Sequence, residues 1–112
     1  MYRINDDNSI EIVRGDSAEF DISLPIKDES GQVIEEYELQ PGDTLLFTVK
    51  KNTKTSDVIF QKSGQTVQIT PSDTEGLSYG KYVYDVQLTY ASGFTDTVIL
   101  PTEFKILEEV TF

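Results

Sequence analysis

Gly80-Lys-Tyr-Val-Tyr-Asp-Val-Gln-Leu-Thr-Tyr90, the loop Ala91-Ser-Gly93 and Phe94-Thr-Asp-Thr-Val-Ile-Leu100 together form the stretch from which the fold is read. Tyr82, Tyr84, Val86, Leu88 and Tyr90 recur at every second position. A strand built from them shows five large side chains on one face and Asp85, Gln87 and Thr89 on the other. The loop ends in glycine, which takes left-handed φ in such hairpins, and residues 94–100 return as the partner strand. These two strands predict the spine of a small β-sandwich, a wall rather than an active site.

The same pattern continues on either side. Residues 9–13 read as a first strand broken at Arg14-Gly15-Asp16. Residues 17–24 resume with Ala18, Phe20, Ile22 and Leu24 on one face and Ser17, Glu19, Asp21 and Ser23 on the other. Pro25, lacking an amide hydrogen, ends or edges that strand; Lys27-Asp-Glu-Ser-Gly31 is a turn, with a short strand expected near residues 32–34. After Pro41-Gly42-Asp43, residues 44–50 alternate Leu45, Phe47 and Val49 with Leu46, Thr48 and Lys50, Leu46 making both faces apolar at one point. Residues 57–62, a Ser63-Gly64 turn and residues 66–70 read as a hairpin. Thr70-Pro-Ser-Asp73 predicts one helical turn, with Thr70 as N-cap, Asp73 reaching back and Gly76 as the stop, carrying the chain from one sheet to the other. Residues 102–110 close the fold with Phe104 and Ile106 inward, and residues 102–111 are the expected sheet edge, blunted by Glu108 and Glu109.

Turn signals about every ten residues without a helix-period segment predict an all-β chain: an immunoglobulin-like antiparallel β-sandwich of seven to eight strands, one domain over residues 1–112. A closed barrel is the alternative. A chain of 112 residues buries roughly two-thirds of its unfolded surface, enough for one core. It contains no cysteine, so disulfides, thiolate metal sites and cysteine nucleophiles are excluded, and with no histidine it lacks the commonest general base and transition-metal ligand. The net charge of −11 repels nucleic acid and anionic membrane surfaces, and no apolar run is long enough for a signal peptide or a spanning helix. The expectation is a protein made and folded in the cytoplasm that binds neither nucleic acid nor membrane.

Several short motifs invite functional readings. Arg14-Gly15-Asp16 matches an adhesive tripeptide, but a turn with solvated Arg14 is the expectation. Asp6-Asp-Asn-Ser9 and Asp28-Glu-Ser-Gly31 carry oxygen donors without the offsets of a calcium loop, and are read as solvated acidic turns. Glu35-Glu36 and Glu108-Glu109 point to opposite faces of a strand and cannot flank one substrate bond; Asp85 and Asp96, on adjacent strands, are better placed to meet. No catalytic, cofactor-binding or metal-binding residue is assigned, the chain is read as a non-enzyme, and no specific binding residues emerge. Of the six tyrosines only Tyr2, Tyr37 and Tyr79 remain as candidates for stacking on a ligand, while Tyr82 is placed to hydrogen-bond back across its corner. Six acids and no base lie from Asp28 to Asp43, whereas Lys50, Lys51, Lys54 and Lys62 gather around the following loop with Asp57 opposing them. This asymmetry suggests head-to-tail contacts between copies.

The ordered series Ile12-Val-Arg-Gly-Asp16, Phe20-Asp-Ile-Ser-Leu24, Gly42-Asp-Thr-Leu-Leu-Phe-Thr-Val-Lys50, Ile69-Thr-Pro-Ser-Asp-Thr74, Gly80-Lys-Tyr-Val-Tyr-Asp-Val-Gln-Leu88 and Phe104-Lys-Ile106 resembles small phage and prophage structural proteins of Gram-positive bacteria. Those proteins are in turn similar to the immunoglobulin-like N-terminal domains of siphophage upper baseplate proteins. The resemblance spans about residues 10–111. It implies a tail, baseplate or accessory component located in the virion, packing against other virion proteins and against itself, with no catalytic residues to carry over. The chain stops at Phe112 without a receptor-binding region, so the expectation is a stand-alone virion component or accessory subunit. The alternative is a carbohydrate- or cell-surface-binding module of the same fold.

Overall fold

The computed structural model describes residues 1–110 as an all-β chain. Its elements are β1 (Tyr2–Ile4), β2 (Ile10–Val13), β3 (Ala18–Asp21), β4 (Pro25–Lys27), β5 (Val33–Glu36), β6 (Thr44–Lys50), β7 (Val58–Ser63), β8 (Thr66–Ile69), α1 (Pro71–Thr74), β9 (Gly80–Thr89) and β10 (Thr95–Leu107). Six strands form one sheet in the order β1-β2-β10-β9-β6-β7, while β3 pairs with β8 and β4 with β5 as separate two-stranded ribbons. The large sheet is open, with β1 and β7 at its edges, so it does not close into a barrel.

Period-two patterning builds the core. From β9, Tyr82, Tyr84, Val86 and Leu88 are buried; Leu45, Phe47 and Val49 of β6 lie alongside them, and Phe104 and Ile106 of β10 face the same side. Ala18, Ile22, Leu24, Val67 and Ile69, from β3, β8 and the segment after β3, join the same buried cluster. Phe47 is the hub: its ring stacks on Tyr84 at 4.9 Å between centroids and meets Phe20 edge-on at 5.8 Å and Phe104 at 6.3 Å. Each such buried side chain contributes about 1.5–3 kcal/mol of transfer free energy.

Three pairings differ from the sequence expectation. Residues 57–62 and 66–70 do not form a hairpin: β7 pairs with β6 and β8 with β3, the chain crossing between sheets at Gly64, whose φ is +102°. A glycine turn reverses or redirects the chain without fixing its next partner, and Val67 and Ile69 are buried beside Ala18 and Phe20. The expected edge over residues 102–111 lies instead in the sheet interior as far as Leu107, because β2 runs parallel to it from Phe104↔Ile10 to Leu107↔Val13. Thr111 lies outside the described residues. Finally, residues 94–100 and 102–110 belong largely to one long strand, β10, whose register slips between Thr97 and Ile99 and again between Ile99 and Thr102. Pro101 occupies the second irregularity, where its missing amide costs no ladder bond.

The helical turn forms as read. Pro71 opens α1 and the Thr70 amide donates to Asp73 Oδ2 at 2.8 Å. Thr74 at its end is fully buried and accepts the Gly15 amide at 2.9 Å, tying the turn to the Arg14-Gly15-Asp16 corner.

Candidate functional site

The Arg14-Gly15-Asp16 corner is locked into the fold. Arg14 Nε donates to Glu109 Oε1 at 2.8 Å, Nη1 donates to the Leu77 carbonyl at 3.2 Å, and the guanidinium lies 4.3 Å from the centre of the Tyr79 ring. Its hydrogen bond to Glu109 holds the Arg14 pKa above the ordinary guanidinium value. An arginine with all these partners is not the solvated side chain expected, and it is not displayed for a receptor. Asp16 meanwhile pairs with the Met1 amino group.

The carboxylates remain apart. Asp96 stands opposite Leu88 while Asp85 stands opposite Thr48, so the two expected to meet are separated by three positions along the β9 ladder. Glu36 accepts the Ser23 hydroxyl, and Glu109 is committed to Arg14. Asp7 and Asp28 each accept the amide and hydroxyl of the serine two residues on, and those serine hydroxyl bonds hold both pKa values below the usual carboxylate range. Among the described residues no three His, Cys, Asp or Glu side chains converge on a metal position.

Aromatic side chains do gather at one end. Tyr37 meets Tyr90 edge-on at 5.7 Å, and Tyr90 lies 5.9 Å from the exposed ring of Phe94. They sit beside a groove of about 440 Å³ between the base of the β4–β5 ribbon and the start of β10, walled by Tyr37, Tyr90, Ile26, Lys27, Asp96 and Val98. Of the three candidate tyrosines only Tyr37 takes part. Tyr90, read from the alternation as core, is half-buried because β9 ends at Thr89 and the ring lies at the rim. Asp43 secures this corner: it accepts the Tyr37 hydroxyl at 2.5 Å, the Gln40 amide at 2.9 Å and the Ala91 amide at 3.0 Å. The bond to Asp43 lifts the Tyr37 pKa to about 12, and the same bond, with the Gln40 amide, lowers that of Asp43.

The β4–β5 ribbon is an arm. Every residue of β5 is exposed, and Ile34 falls at a bulge, the extra residue between the Ile26↔Glu35 and Lys27↔Val33 pairs. Val33 and Ile34 stand 54% and 62% exposed, beside Glu35 and Glu36. A short strand is expected here, but the exposed apolar pair is not; its signal is two consecutive apolar residues followed by two acids instead of an alternation.

The lysines lie at the far end of the molecule. The ladder from Thr44↔Thr89 to Lys50↔Val83 puts Asp43 and the arm's base at one end of β6 and Lys50, Lys51 and Lys54 at the other, about 20 Å away along the strand. Lys62 leaves the cluster, held by Asp73 at 2.8 Å. Next to the remaining three, the outer face of the large sheet carries a shallow groove of about 290 Å³ with Leu46, Val58, Val83 and Pro101 as its apolar part and Lys50 and Gln61 among its polar part. Leu46, the residue that made its strand apolar on both sides, was its sequence signal.

No family model, curated protein or solved structure matches this chain.

Proposed function

We propose that this chain is a non-enzymatic phage or prophage virion structural protein, an immunoglobulin-like sandwich acting through contacts with other virion proteins and with itself. The observation that carries the reading is the exposed arm, whose apolar pair and carboxylates stand at one end of a molecule with Lys50, Lys51 and Lys54, without ion pairs among the described residues, at the other. Such a polarised surface suits heterologous packing of many copies.

The strand order supports the finer fold assignment. It is the order expected if β10, β9, β6 and β7 correspond to strands G, F, C and C′ and β3 and β8 to B and E. The Tyr82 hydroxyl donates to the Ser78 carbonyl at 2.8 Å, the back-reaching bond of a tyrosine corner. Those motifs that resemble tail proteins serve as framework here: Arg14 locks a corner, Asp43 gathers three donors and Asp73 caps a helical turn.

Particles purified from an induced culture of a strain that carries the chain test the reading, using gold-labelled antibody. Labelling at a fixed place on every particle is expected; particles that carry their other tail proteins but no label overturn it.

A second reading, a carbohydrate- or cell-surface-binding module, is favoured by the Tyr37–Tyr90–Phe94 cluster at its groove. Glycan-array binding that Tyr90→Ala abolishes would promote it over the structural role.

A further inference from the structure

We infer that copies of this chain join head to tail, the Val33–Ile34 bulge of one arm seating in the outer-face groove formed by Leu46, Val58, Val83 and Pro101 of the next copy. This deepens the structural-protein reading and rests on it.

Charge selects the occupant. The arm carries five carboxylates between Asp28 and Glu38 against a single base, Lys27. Lys50, Lys51 and Lys54 stand at the groove's end of the sheet and outnumber the carboxylates there, Asp57 in the loop and Asp85 in the groove. None of these three lysines has an ion pair among the described residues, Lys62 alone of the cluster being paired. An acidic arm with an apolar bulge therefore meets a groove whose apolar patch lies beside Lys50, with Lys51 and Lys54 in the loop that follows, each surface supplying what the other lacks.

Geometry makes the contact intermolecular. The arm leaves the fold at the Thr44 end of β6, while the groove opens toward the Lys50 end on the face opposite the buried core. A chain cannot fill its own groove, and two copies that join this way each retain one free arm or one free groove. The interface is therefore heterologous, and it propagates into a ring or a filament instead of closing as a two-fold dimer. β7, an open sheet edge beside the groove at Val58, lies within the same surface.

The test is sedimentation velocity and light scattering on three proteins. The wild-type chain is expected to gain mass with concentration and to lose it as salt rises from about 0.05 M to about 0.5 M, because screening shortens the reach of exposed charges. An arm variant, Val33→Asp with Ile34→Asp, and a groove variant, Lys50→Glu with Val58→Asp, each weaken self-association at least about tenfold. Mixed together, the two give a one-to-one heterodimer that grows no further, since only one intact arm and one intact groove can meet. Unchanged far-UV circular dichroism of the arm variant shows that it folds, its substituted residues being exposed in the monomer. A wild-type chain that stays monomeric, a two-fold dimer, or variants that ignore each other on mixing overturns the inference. Particle labelling decides the virion reading separately, so the failure of one is distinguishable from the failure of the other.

Discussion

Thr74 takes a hydroxyl into the core, where it meets the Gly15 amide. Thr74→Val keeps the shape and leaves that amide without a partner, so it is expected to cost about 1–3 kcal/mol in urea unfolding, with Thr74→Ser recovering most of it. Ionisation shows equally local control. Tyr84 is pushed up to about 12 by burial and by the nearby Asp7 charge, and Tyr37 reaches about 12 through its bond to Asp43. Raised phenol values mean that their stabilisation is complete below the unfolded tyrosine pKa of about 10 and is lost as pH rises toward 12. Absorbance titration should therefore leave Tyr37 and Tyr84 largely protonated at about pH 11, and the melting temperature should fall as pH rises toward 12. The carboxylate side has the opposite sign: Asp43 and Asp28 are depressed by hydrogen bonds, so their stabilisation is present above about pH 4 and is lost as pH falls through their folded values.

Turns and strands set the next scale. Gly42 and Gly93 share φ of +92°, but a Cβ at Gly42 would lie 2.8 Å from Ala91 Cβ, while one at Gly93 meets nothing within 4 Å. Both alanine substitutions incur about 1–2 kcal/mol of backbone strain, and Gly42→Ala is expected to lower the melting temperature further because the Pro41–Asp43 turn must separate from the β9–β10 loop. Equal losses would mean that the Pro41–Asp43 turn moves away from Ala91 at no further cost. The arm presents a contrasting case. Its β4–β5 pairing has little buried surface beneath it, so amides there should exchange with solvent well before those of β6 and β9, as hydrogen exchange can check.

For the whole molecule the decisive contact is Phe47, which touches the ring of Phe20 from one ribbon and those of Tyr84 and Phe104 within the large sheet. Phe47→Ala is expected to cost about 3–5 kcal/mol and to weaken both sheets in one transition, with near- and far-UV circular dichroism melting together. Separate transitions would show that the ribbon and the sheet are not one cooperative unit. At this scale the molecule is also polar in the geometric sense, acidic arm at one end and lysines at the other, which underlies its proposed head-to-tail assembly.

Strand content, inward faces and the helical turn were legible in the chain itself, because side-chain alternation and capping are local consequences of backbone geometry. Thr44–Lys50 and the buried run from Tyr82 to Leu88 fall where the two-residue period puts them. Partner choice was not legible. The parallel match of Phe104 to Ile10, the crossing at Gly64 and the meeting of Tyr37 with Tyr90 join residues far apart in the chain, and many strands of similar pattern could have met instead. Only packing the whole set against one core selects among them. Tertiary structure likewise committed Arg14 to Glu109 and Tyr79, left Val33 and Ile34 outside, and put the arm and the Lys50 loop at opposite ends of β6, since exposure is a property of what fails to find a partner once every other surface has been buried.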